Sequence, residues 1–182
     1  LVKAIFTIRG GYGSHRILPL LNYSLIRRNP KILVGYSDIT ALQLALFAKT
    51  GLVTFSGPMV ASDMASGLRS DIEESFWRCL SVPEPMKPLY SRKDALQQTA
   101  NRKSPEGRLL GGNLSLVAAL VGTPYFPPIR EMILLFEEID ERPYRIDRLL
   151  QQIALAGIIR KTRGIVLGKF IDCNPSKGKP SL

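Results

Sequence analysis

Between Lys31 and Lys49 the sequence runs KILVGYSDITALQLALFAK, and no other stretch restricts the fold as tightly. A short apolar run, Ile32-Leu33-Val34, meets Gly35-Tyr36-Ser37-Asp38. It then passes into Ile39, Leu42, Leu44, Ala45 and Phe47, spaced as one face of a helix. The stretch therefore predicts a strand, a sharp turn and a helix. A serine at such a turn projects its hydroxyl off the strand end, and the helix behind it offers unpaired N–H groups and a positive dipole end. Ser37 is thus a candidate nucleophile. Capping is the alternative, because Ser and Asp are preferred at helix N-caps. No glycine follows to complete a Gly-x-Ser-x-Gly elbow, so this stretch alone leaves both readings open.

Val2 to Ile8 is a second β-branched run, ending in Arg9-Gly10-Gly11-Tyr12-Gly13-Ser14 ahead of a helical piece, Arg16 to Leu21. Glycines let backbone N–H groups approach an oxyanion without Cβ interference, yet the spacing matches neither a dinucleotide fingerprint nor a P-loop. The loop reads equally as a plain strand-to-helix connection. His15, the single histidine, lies just beyond it and reads as an inert loop residue. Leu52 to Phe55 supplies a further strand, so the first half alternates strand and helix, which predicts a parallel sheet. Sites in such sheets gather at the carboxyl ends of the strands, where the glycine loop and Ser37 would meet.

Asp71 to Leu80 predicts an amphipathic helix, with Phe76 and Trp77 as core or interface residues. Four prolines between Ser81 and Gly107 mark a linker. The expected division is 1–87, an α/β domain; 88–106, the linker; and 107–182, a second domain. In the latter, Arg108 to Leu114 reads as a strand with a close backbone approach at Gly111-Gly112, followed by a helix from Ser115 to Leu120. Met132 to Phe136 is a buried strand by its apolar run, and Glu137-Glu138 follow at its end. Such acids could orient a catalytic imidazole or simply form a solvated loop. Tyr144 to Ile153 predicts a helix, and Gly164 to Phe170 a last strand.

A chain of 182 residues that is 45% apolar can bury a real core. No uncharged run reaches membrane-spanning length, so no membrane association is expected. The net charge of +10 comes from scattered Lys and Arg with no basic stripe interleaved with aromatics, which argues against nucleic acid as a partner. Cys79 and Cys173 are too few for a disulfide framework and wrongly spaced for zinc, so a reducing, cytosolic location is the default.

Taken in order, Arg9 to Ser14, Gly35 to Leu42, Gly57-Pro58-Met59, Gly111-Gly112-Asn113-Leu114, and Glu137-Glu138 with Pro143-Tyr144-Arg145-Ile146-Asp147-Arg148 resemble the motifs of the serine LD-carboxypeptidase family. Muramoyltetrapeptide carboxypeptidases and the microcin C self-immunity hydrolase belong to that family. The resemblance implies an N-terminal parallel-sheet α/β domain, truncated at its start, and a β-rich C-terminal domain, truncated at its end. It implies a Ser-His-Glu hydrolase in which Ser37 is the nucleophile and Glu137 orients the histidine. The backbone at Gly11 and Asp38 would form the oxyanion hole, with Gly10, Gly112 and Asn113 as further oxyanion or substrate-binding positions. No cofactor and no metal are implied. The substrate would be a murein-derived peptide losing its terminal D-alanine, and a homodimer is left open as the assembly. In the family the histidine sits in a Gly-His segment after the strand matched by Gly168-Lys169-Phe170. This sequence holds neither that segment nor the family's residues before the glycine loop, so it reads as an inactive fragment. The alternatives are a hydrolase of acyl-sulfamoyl adenylates, which needs an aromatic stacking residue in a C-terminal loop, and a non-catalytic binding remnant.

Overall fold

The structure, a computed structural model, describes residues 2–86 and 105–174. The expected linker lies outside them except for its last two residues. In the first half β1 (Ala4–Phe6) leads through α1 (Ser14–Ile17) and α2 (Tyr23–Arg28) to β2 (Ile32–Val34), and α3 (Ile39–Thr50) follows. Strands β1 and β2 pair in parallel, Ala4 opposite Ile32, as the alternation predicts. The expected strand Val2 to Ile8 is shorter at both ends. Leu52 to Phe55 reduces to one parallel bridge, Val34 with Phe55. Gln43 explains how so little pairing suffices there. From inside α3 its Nε2 donates to Gly35 O (2.9 Å) and Phe55 O (3.0 Å), satisfying carbonyls that a longer ladder would use. The Arg16 to Leu21 piece divides into α1 and a 3₁₀ turn at Leu18–Leu20, where Pro19 has no N–H to continue an α-helix. The sequence reading missed α2, which Asn22 caps by accepting from Leu25 N at 2.9 Å.

α4 (Ser70–Ser81) follows as expected, but its two aromatics part company. Phe76 is buried against Phe6, whereas Trp77 is 47% exposed, so of the two places expected for it, core or interface, the core is ruled out. The second half runs β3 (Arg108–Asn113), α5 (Leu114–Leu120), β4 (Met132–Ile139), α6 (Pro143–Leu155) and β5 (Thr162–Ile171). Its three strands are parallel with β4 in the middle, so this strand-rich half is itself an α/β alternation. At Gly111, φ is +138° and an added Cβ would run into the carbonyl oxygen of Leu135 on β4, so only glycine lets β3 lie there. One apolar core joins the halves: Leu18, Ala41, Leu44 and Ala45 pack with Leu114, Val117, Phe136, Ile146 and Ile153. Helix α3 is the shared layer, apolar on several faces because it is covered from both sides.

Candidate active site

Ser37 occupies the turn between β2 and α3 with φ +61°, in the left-handed region. An L-residue there carries roughly 1–2 kcal/mol of strain. Among the described residues three other non-glycine positions share this conformation, Glu131, Asp140 and Asp172, of which the two aspartates are a type that enters it more readily. Ser37 Oγ makes no hydrogen bond among the described residues. Asp38 stands at the N-cap, yet its carboxylate caps nothing. The capping explanation for Ser37 and Asp38 is therefore not met.

The Asp38 carboxylate is directed instead at the glycine loop. Its Oδ2 accepts from Ser14 N (2.9 Å) and from Ser14 Oγ (2.7 Å), and both residues are buried. The loop then lies directly on the Ser37 turn, since a Cβ on Gly10 would stand 3.0 Å from both Cβ and Oγ of Ser37. Gly11 (φ +128°) and Gly13 (φ +117°) make the curvature possible. In the first turn of α3 the N–H groups of Ile39, Thr40 and Ala41 donate to Tyr36, Ser37 and Asp38 carbonyls. Among the described residues the N–H groups of Gly11 and Asp38 have no acceptor. Below the turn, Asp63 accepts from Tyr36 Oη (3.1 Å) and Met59 N (2.8 Å), tying the Gly57-Pro58-Met59 segment to the residue before Ser37.

From the other half, Thr40 Oγ1 accepts from Asn113 N (3.1 Å), and Asn113 is the register partner of Glu137 across β3 and β4. A Cβ on Gly112 would press on the Thr40 side chain, so this contact also depends on glycine. Glu137 and Glu138 belong to strand β4 rather than to a solvated loop, and they face opposite ways. Glu138 is 3% exposed, and both of its oxygens are occupied. Oε1 accepts from Asn113 Nδ2 (2.6 Å) and Ile139 N (3.0 Å), while Oε2 accepts from Ser115 N (2.9 Å) and Ser115 Oγ (2.7 Å). Asn113 uses its other side-chain atom to cap α5, accepting from Leu116 N, so its polar atoms serve internal bonds.

Glu137 is the opposite case. Its Oε1 is buried with no hydrogen-bond partner among the described residues. Burial first, and the neighbouring Glu138 charge second, raise its pKa above the ordinary carboxylate range. Tyr36 registers the same charge, for its phenol is pushed up by burial, by Asp63 and in lesser part by Glu137. His15 also has a buried unpartnered atom, Nε2, on α1 just past the loop. Sequence reasoning missed Ser14, Thr40, Asp63 and Ser115. Ser14 and Thr40 lie inside quoted motifs, but no local pattern reveals partners 24 and 73 residues away.

Together these features define an α/β protein that presents a serine on a strained strand-to-helix turn, with a glycine loop against it and an unsatisfied carboxylate brought near from a second parallel sheet. Comparison with known proteins then identifies the family. Residues 1–57 match the LD-carboxypeptidase N-terminal domain and residues 106–181 the LD-carboxypeptidase C-terminal domain, so the chain belongs to the LD-carboxypeptidase family, a family of peptidases. A probable murein peptide carboxypeptidase of Bacillus subtilis (strain 168) is 39% identical over 181 residues, covering 100% of this chain and 56% of that protein. The microcin C7 self-immunity protein MccF of Escherichia coli is 32% identical, over 98% of this chain and 60% of that protein. Among solved structures, a muramoyltetrapeptide carboxypeptidase from Oxalobacter formigenes superposes with a TM-score of 0.78 at 34% identity, covering 96% of this chain and 59% of that one. The chain thus spans a little over half the length of the relatives it matches.

Proposed function

We propose that the protein is a serine LD-carboxypeptidase that removes the terminal D-alanine from murein tetrapeptides, with Ser37 as nucleophile and Glu137 as the residue orienting a catalytic histidine. The buried, unpartnered Oε1 of Glu137 carries this reading. A buried carboxylate oxygen without a donor costs free energy, and an imidazole N–H is the donor that would remove the cost and hold the ring in one tautomer. In this scheme units 1–87 and 107–182 each contribute one member of the pair. The histidine takes the Ser37 proton as Oγ attacks the carbonyl carbon of the L,D amide. The free N–H groups of Gly11 and Asp38 receive the oxyanion. The tetrahedral intermediate expels D-alanine, which leaves with that proton, and water then hydrolyses the serine ester. The scheme calls on no metal or cofactor. The proposed setting is peptidoglycan recycling in the cytosol, and the free thiols of Cys79 and Cys173 fit such a reducing compartment.

His15 has no part in the scheme, because it lies past the loop that receives the oxyanion. The 182-residue chain alone should therefore release no D-alanine from L-Ala-D-Glu-diaminopimelate-D-Ala, whereas the full-length protein should do so and take a fluorophosphonate label at Ser37. Steady release by the short chain that is lost in His15→Ala would overturn the assignment. Cleavage of an acyl-sulfamoyl adenylate in preference to the tetrapeptide would point to the MccF-like activity instead. Tetrapeptide binding without labelling would indicate a binding protein.

A further inference from the structure

We propose that the side chains of Asp38 and Ser14 form a positioning latch that sets the glycine loop against Ser37, and so places the Gly11 N–H for the oxyanion. The inference rests on the reading of Ser37 as nucleophile, but it concerns groups that reading leaves without a task. An aspartate at the N-cap of a twelve-residue helix would ordinarily accept from the helix's own N–H groups. Here it reaches across 24 residues of chain and receives both donors of Ser14 on one oxygen, in a buried setting where charge-assisted bonds are strong.

The loop has little else to hold it in place. Gly10, Gly11 and Gly13 carry no side chain, and Tyr12 between them is 89% exposed. At its start the loop is anchored by Thr7, whose N and Oγ1 both donate to Val34 O (3.1 and 3.0 Å), and by the carbonyls of Thr7 and Ile8, which accept from Val60 N (3.0 Å) and Ala61 N (2.7 Å). At its end the anchor is Ser14 on Asp38. Between these points the backbone must hold Gly10 within contact of Ser37, where a displacement of about 1 Å can cost about a hundredfold in rate. The latch has an electrostatic side as well. A carboxylate beside the amide that must stabilise an oxyanion would oppose it unless turned away and hydrogen-bonded, and the two Ser14 donors do both.

The test uses the full-length enzyme and separates kcat from KM. Asp38→Ala should lower kcat by about a hundredfold with KM changed less than about threefold. Asp38→Asn should recover most of the loss, since its amide oxygen can still accept both donors. Ser14→Ala, which keeps the N–H and removes only the hydroxyl, should fall between. The double variant Ser14→Ala/Asp38→Ala should be no worse than Asp38→Ala, because the two share one interaction. If Asp38→Ala does not fold, Ser14→Ala decides: a kcat within about twofold of wild type overturns the latch. So does an Asp38→Ala enzyme of normal kcat that still depends on Ser37. Turnover retained in Ser37→Ala would instead remove the nucleophile reading, and this inference with it.

Discussion

Glu137 and Glu138 are adjacent in sequence and identical in chemistry, and the structure assigns them opposite sensitivities to the same change. In Glu138→Gln the new NH₂ must face either Asn113 Nδ2 with Ile139 N, or Ser115 N with Ser115 Oγ. The second orientation is the better one, since the Ser115 hydroxyl can turn to accept. It still leaves Ser115 N unpaired and weakens three charge-assisted bonds, a loss of about 2–4 kcal/mol. For a chain of this length that lowers Tm by roughly 5–15 °C. Glu137→Gln breaks no bond to Oε1 and removes a charge that burial disfavours, so its stability should equal or exceed wild type at neutral pH. The pH dependence identifies the group. Because the folded pKa of Glu137 lies above its unfolded value, the native state binds the extra proton between them. Stability on this account is highest below the unfolded pKa and declines as pH rises through the folded one. The Tm advantage of Glu137→Gln should therefore grow with pH across that window. Activity should run the other way, with Glu137→Gln losing roughly 10⁴-fold in kcat as a mis-oriented triad does. Thermal melts at several pH values, with D-alanine release measured in parallel, decide the matter. A Glu138→Gln variant that melts like wild type, or a Glu137→Gln advantage that is flat with pH, would refute the reasoning.

Two further outcomes follow from the backbone. Ser37→Gly relieves the left-handed strain but adds freedom to the unfolded chain, so by urea denaturation it should be about 0.5–1 kcal/mol more stable than Ser37→Ala, and both should be inactive. Equal midpoints would show that the turn is not strained. Gly111→Ala drives a methyl group into the Leu135 carbonyl between β3 and β4 and should cost at least about 3 kcal/mol or abolish soluble expression, whereas an unchanged midpoint would mean the strand pairing is misplaced.

Much of the architecture was legible because it follows from short-range effects. The apolar run, turn and helix over 32–50, the strand–helix alternation, the amphipathic faces of α4 and α6 and the glycine pair at 111–112 each express a period or a steric demand within a few residues. Where competing local signals were close, the reading slipped: Leu52 to Phe55 has strand composition, yet only Phe55 pairs, and α2 depends on one capping asparagine. The aromatic pair in α4 shows the same limit, since Phe76 and Trp77 have equal claims to burial and both rings lie 6.1 Å from Phe6, yet only Phe76 also packs over Gly57 and is buried.

By itself the sequence determined that a serine would stand on a strand-to-helix turn near a glycine loop, and that two acids would follow a buried strand. Only the tertiary structure decided which acid is satisfied and which is left open. It also decided that Asp38 holds Ser14 rather than capping its own helix, and that Thr40 meets Asn113 across the two halves. Those choices depend on hydrogen bonds between residues 24 and 73 positions apart, and on burial that removes water as the competing partner. Propensity and periodicity act along the chain over a turn or two, while a buried carboxylate responds to whatever the folded chain brings within 3 Å of it.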